Sequence, residues 1–146
     1  MINIAILVEE VYSKELQKAN GDVFCEIRRS PDNAFIFVNW VGIQSLETIV
    51  MGYNHVLYML RTKTCPAILN NNHELIGPWD MAVNWLVHKW IPQAKALGIM
   101  YYAHILSHGI FGRRSFEQLK PALKLDFNTE SFEDEALAEE WIYLKL

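Results

Sequence analysis

Cysteine is scarce in this chain: Cys25 and Cys65 are the two present in 146 residues. That is too few for a disulfide framework, and neither falls in a Cys-x-x-Cys or Cys/His spacing that suits zinc. Both read as small buried hydrophobes of a reducing compartment. Basic charge is scarce as well. Thirteen Lys and Arg against seventeen Asp and Glu give a net charge of -4, and the doublets Arg28-Arg29 and Arg113-Arg114 do not build the stripe that neutralises nucleic-acid phosphates. Long apolar runs are missing: nothing approaches the ~20 residues of a membrane span. The opening MINIAILVEEVY has a short apolar run with no preceding Lys or Arg and no small-residue cleavage site, so it reads as a first strand or a packing arm rather than a signal peptide. The expectation is a soluble, cytoplasmic protein without nucleic-acid or membrane-spanning chemistry.

What is present is core-forming material. Hydrophobic residues make up 51% and charged residues 21%, with five Trp, six Tyr and seven Phe, which excludes disorder. A chain of this length buries roughly 70% of its unfolded surface, enough for one self-sufficient core. We find no repeat, linker or low-complexity tract, and residues 1–146 read as one domain, with 1–20 as an extra strand or arm.

Two strand-like runs, VFCEIRRS from Val23 and AFIFVNW from Ala34, flank SPDN, whose Pro and Asn favour a tight turn; they predict an antiparallel hairpin. Leu46, Ile49, Val50, Tyr53, Leu57 and Leu60 recur at helical spacing behind Ser45, a candidate N-cap. PAILN reads as a buried strand. From Pro78 to Leu97 a second helix is expected, with Pro at its first position, Gly98 past its end and Pro92 kinking or dividing it. IMYYAHIL is another buried strand, SFEQLKPALK a short interrupted helix and LDFNT a last strand. Ser131 with Asp134 resembles a capping box ahead of the closing helix DEALAEEWIYLKL. The order predicts an α/β fold: a single mixed, mainly parallel sheet of about four to six strands, opened by the antiparallel hairpin and covered by about four helices.

With those elements placed, NWVGIQSLETI, PAILNNNHELIGPWDMAVNWL and LDFNTESFEDEALAEEWI together resemble the SpoIIAA-like, STAS-type proteins of bacteria. The closing strand with Phe, followed by acidic residues and then Ala and Trp on a last helix, is the most recognisable piece. The resemblance covers residues from about 20 onward and implies a regulatory or protein-binding module. Its best-understood relatives are anti-sigma-factor antagonists, switched by phosphorylation of a serine just after a central strand. Here AILN occupies that place, and Asn70, Asn71, Asn72 and His73 follow with no Ser or Thr before the helix, so the resemblance implies a module without that phosphoserine switch. A looser similarity to CRAL-TRIO lipid-transfer proteins lacks the extra helices that enclose a lipid.

Candidate sites follow from where the strands end. Open α/β sheets bind ligands at the carboxyl ends of their strands, where Asn70, Asn71 and Asn72 are expected. Equally, Asn terminates strands by satisfying backbone groups. Amides supply neither base nor nucleophile, so a site here would bind rather than catalyse. Ser107, His108, Arg113 and Arg114 lie beyond IMYYAHIL at the same edge and could hold a small anion; as a nucleophile and base, Ser107 and His108 lack an elbow motif and an orienting carboxylate. His104 falls inside a strand, so its four-residue spacing from His108 does not make a metal pair, and His55 and His88 sit on polar helix faces. No metal and no cofactor is assigned.

Trp79, Val83, Leu86, Trp90, Ala94 and Leu97 form one helical stripe and read as core. Met81, Trp85 and Pro92 lie on nearly the opposite side, and Met51, Tyr58 and Met59 lie away from the main stripe of the first helix. These secondary apolar faces are candidates for a homodimer or a protein partner. The leading expectation is thus a non-catalytic STAS-like signalling module acting through protein contacts. Its rivals are a protein with a small-ligand or lipid pocket lined by Trp40, Tyr53, Trp79 and Trp90, and an enzyme using Ser107 or His108.

Overall fold

The computed structural model describes residues 10–146; the apolar start of MINIAILVEEVY, residues 1–9, lies outside the described residues. The first strand, β1 (Ser13–Gln17), is followed by β2 (Val23–Arg29) and β3 (Ile36–Trp40). β2 and β3 pair antiparallel from Cys25↔Trp40 to Arg29↔Ile36. Their turn is made as SPDN predicts. The Ser30 hydroxyl accepts from Ala34 and Phe35 N–H at 2.9 and 3.1 Å, while Asn33 takes φ 58°, a left-handed value that Asn tolerates. β1 adds to the outer side of β2, so part of the segment before Gly21 completes the sheet at its edge.

Helix α1 (Leu46–Thr62) starts at Ser45 with a reciprocal capping box to Thr48. Then come β5 (Ala67–Asn71), β7 (Tyr101–Ile105) and β8 (Asn128–Phe132), giving the six-stranded order β1-β2-β3-β5-β7-β8. The last three junctions are parallel, the mixed, mainly parallel sheet that alternating strands and helices call for. The short strands β4 (Gly42–Ile43) and β6 (Leu75–Ile76) pair separately, in parallel.

Residues 80–96 form a composite helix, α2: a 3-10 turn Asp80–Ala82, an α turn Val83–Trp85, a π turn Leu86–Trp90 and an α segment Ile91–Ala96. Pro92 has no N–H to return to the carbonyl of His88, so the ladder widens just before it instead of continuing. Helix α3 (Ile110–Asp126) differs from expectation: it starts five residues before Ser115 and runs through Pro121 without interruption. Leu119 and Leu123, both buried, keep it on the core, and the backbone bond that Pro121 forfeits lies on the solvent side, where Glu117 is also exposed. The last strand therefore begins at Asn128 instead of Leu125. Helix α4 (Glu135–Lys145) is capped by Asp134, whose side chain accepts from Leu137 N–H at 2.9 Å. Ser131, expected as the cap, is inside β8.

The sheet separates two cores. Ile36, Val38, Trp40, Ile68 and Tyr102 face α1, α2 and α3, whereas Phe35, Phe37, Leu69, Ala103 and Ile105 face Ala138 and Ile142 of α4. Because alternate residues of a strand point to opposite faces, a central strand covered on both sides has no solvent face. No described helix is long and apolar enough to cross a membrane.

Candidate functional site

Alternation along β5 and β7 sets the site. Ile68 and Tyr102 face the helices, so two residues on Asn70 and His104 do too, and the register pairs them directly. Asn70, Asn71 and Asn72 are all buried, as is His104 at 1% exposure, so the asparagines belong to the interior and not to an exposed loop.

Their hydrogen bonds form a chain whose direction can be deduced. Trp40 Nε1–H donates to Asn70 Oδ1 at 2.8 Å. Asn70 then has only N–H donors left for His104 Nδ1, 3.2 Å away, so Nδ1 is the acceptor and the ring proton sits on Nε2. Asn72 Nδ2 is placed 3.4 Å from Nε2; since two donors cannot pair, we assign the amide the flipped orientation that puts Oδ1 against Nε2–H. The His104 ring lies flat on Phe116, with centroids 3.8 Å apart. Burial pushes its pKa from 6.5 down to about 3, so the imidazole stays neutral and serves as a structural link.

Nearer the surface, three loops meet beyond β5, β7 and β8. His73 and His108 stack with ring centroids 4.5 Å apart. His73 Nε2–H donates to the Glu133 carbonyl at 2.7 Å, and His73 N–H donates to Asn71 Oδ1 at 3.0 Å. Arg113 grips the Glu133 carboxylate through both terminal nitrogens at 3.2 and 2.9 Å and donates from Nε to the Ser107 carbonyl at 2.8 Å. That Arg113 hydrogen bond holds the Glu133 carboxyl below its ordinary range. Asn39 Nδ2–H donates to Glu74 at 2.7 Å alongside.

The structure thus gathers Asn71, Asn72, Ser107, His108 and Arg113 at one edge and adds His73 and Glu133. Asn70 lies one layer deeper and Arg114 is exposed on α3. The chemistry differs from an anion pocket, because Arg113 is committed to Glu133. No hydrogen bond joins Ser107 Oγ to His108 among the described residues. Ser107 is buried with its hydroxyl accepting from Gly109 N–H at 3.3 Å, under the first turn of α3, where a Cβ on Gly112 would come within 2.7 Å of it; His108 points to His73.

Among the interface candidates, Met51 and Met81 are about half exposed, at 48% and 47%. Tyr58 and Trp85 are half-buried against the core and Pro92 is exposed. Met59 is wholly buried, a correction: the turn that carries it leans on β2, where its carbonyl accepts from Arg29 Nη2 at 2.9 Å. The space lined by Trp40, Tyr53 and Trp79, with Asn70, Asn72, Ile49 and Leu75, is about 10 Å³. That admits no lipid, and Trp90 sits against Tyr53 instead, 4.8 Å between centroids.

A patch that the sequence reading missed stands at the same end. Ile43 and Ile76 are direct partners in the β4-β6 pair, exposed at 66% and 60%, and Ile110 and Phe111 at the start of α3 are each 56% exposed. Gly112 faces Leu75 at 3.5 Å for an added Cβ, which sets β6 against the start of α3. Two-residue strands carry no period to detect, and placing the helix start at Ser115 left Ile110 and Phe111 in an apparent loop.

No protein-family model matches the chain, and no curated protein matches its sequence. Among solved structures, the anti-sigma factor antagonist SpoIIAA in its unphosphorylated form is similar in fold. The TM-score is 0.58 at 12% identity, over 80% of this chain and 95% of that one. The chain has the SpoIIAA-like, STAS-type fold.

Proposed function

We propose that residues 1–146 form one non-catalytic, STAS-like regulatory module of the bacterial cytoplasm, which works by binding a protein, either a partner or a second copy of itself, at the carboxyl edge of its sheet. The observation that carries this reading is the pairing of two conditions at one end of the molecule. The polar side chains there are engaged with one another, while Ile43, Ile76, Ile110 and Phe111 stand exposed. Apolar area of this kind is stabilised by being covered. The likeness to an anti-sigma factor antagonist supports a role in protein contacts, although fold alone does not assign it.

The module acts without a phosphoserine switch after β5. The chain offers Asn70, Asn71, Asn72 and His73 there, and the first and third of these are held by His104. The reading with a small-molecule pocket between sheet and helices has no comparable support, since that space is closed by Trp40, Tyr53 and Trp79. Met51, Tyr58, Met81, Trp85 and Pro92 form the alternative binding face, on α1 and α2.

The test is native mass spectrometry and light scattering on the wild type and on Ile76→Asp with Phe111→Asp. A dimer, or a complex with a co-purified protein, that is lost in the double variant while circular dichroism is unchanged supports the reading. An association that persists in the double variant but disappears in Met51→Asp with Met81→Asp transfers the function to the α1-α2 face.

A further inference from the structure

The core beneath the asparagines contains an orphan. Trp79 is 4% exposed, and its indole Nε1–H has no hydrogen-bond acceptor among the described residues. Its backbone is well held, with the N–H donating to Ser115 Oγ at 2.9 Å, so the side chain is not loosely placed. A buried donor left without an acceptor is costly, and native proteins satisfy such groups with protein or with ordered water.

Trp79 lines the cavity of about 10 Å³ together with Asn70 and Asn72. That volume is at the lower bound of what one water needs, and a water also needs two to four polar partners. The tautomer deduced above supplies them. With its oxygen turned to His104 Nε2–H, Asn72 presents its NH₂ group elsewhere. Asn70 Oδ1, which accepts from Trp40, keeps a second lone pair.

We infer that this cavity is a binding site for a single water molecule, which accepts hydrogen bonds from Trp79 Nε1–H and the Asn72 amide and donates one to Asn70 Oδ1. The water completes the chain Trp40–Asn70–His104–Asn72 and joins it to Trp79. It thereby fastens the segment between β6 and α2 to the end of β5. This holds whether or not the carboxyl edge binds a protein.

The test is a water-to-indole NOE and ROE experiment on the ¹⁵N-labelled full chain. The Trp79 indole signal is assigned by its loss in Trp79→Phe or, if that variant does not fold, by its NOEs to the Ser115 and His104 neighbours. The expected result is a cross-peak to water at Trp79 Nε1–H with NOE and ROE of opposite sign, the mark of a bound water. The same proton should resist exchange in D₂O at least tenfold longer than an exposed indole. A folded protein in which that signal shows no water cross-peak overturns the site, as does one in which it exchanges with bulk water at the rate of an exposed indole.

Discussion

Replacing His104 by Gln should flatten the acid dependence of stability by an amount that the structure sets. The ring is enclosed by Phe116, Asn70 and Asn72, and burial takes its pKa from 6.5 to about 3. A lowered histidine pKa means that the unfolded chain binds a proton the folded chain refuses. The stabilisation is therefore complete above 6.5 and is lost as pH falls toward about 3, at about 1.4 kcal/mol per pH unit. Between pH 7 and pH 5 the loss integrates to about 2 kcal/mol. Urea denaturation of the wild type and of His104→Gln at both pH values isolates this contribution, because other titrating groups act equally in both proteins. The variant should be less stable at pH 7 and should lose about 2 kcal/mol less than the wild type on going to pH 5. Equal losses in the two proteins, or an NMR titration of His104 near 6.5, would refute the assignment of a neutral, buried imidazole.

Asn70→Leu keeps the volume roughly but strips the acceptor from Trp40 Nε1–H and the donor from His104 Nδ1, so it should cost about 3 kcal/mol in urea unfolding; a loss under about 1 kcal/mol would mean that the network is not formed in solution. Gly52→Ala should cost about 2 kcal/mol and shift the tryptophan fluorescence, because the new methyl would run into the Trp40 ring and stand 3.2 Å from Cys25 Sγ; an unchanged Tm would show that α1 sits farther from the sheet.

Much of the fold was legible because periodicity and punctuation agreed: the SPDN turn, Ser45 ahead of an apolar stripe, Pro92 inside a helix. The misplacements came where tertiary contact overrode punctuation. Pro121 suggested a break, yet Leu119 and Leu123 hold α3 on the core across it, which pushed the last strand toward the C-terminus. The asparagines misled for a different reason. Polarity implied the end of a strand, but Asn70 follows Ile68 by two in a strand covered on both faces, so the pleat itself sends it inside. His104 two residues after Tyr102 was the matching signal. Two inward polar residues in neighbouring strands at one register call for a buried hydrogen bond. The exposed patch was illegible in principle, because Ile43 and Ile76 meet only through the parallel pairing of β4 with β6.

That patch has a consequence for how association at this edge responds to salt. Glu133 is paired with Arg113 at 2.9 Å, and Glu74, which keeps its charge, is held in place by a hydrogen bond from Asn39, so the ion pair nearest the three loops is internal to the molecule. Complexes steered by unpaired charges weaken as salt shortens the Debye length from about 10 Å at 0.1 M to about 3 Å at 1 M. Contact through Ile43, Ile76, Ile110 and Phe111 depends on removing apolar area from water, which salt does not screen. The dissociation constant of the dimer or complex should therefore change by less than about threefold over that range of salt, measured by analytical ultracentrifugation. A loss of affinity of a hundredfold would place the energy in charged groups and refute the patch as the binding surface, directing attention to the exposed Arg114 and to the Arg113–Glu133 pair opened by the partner.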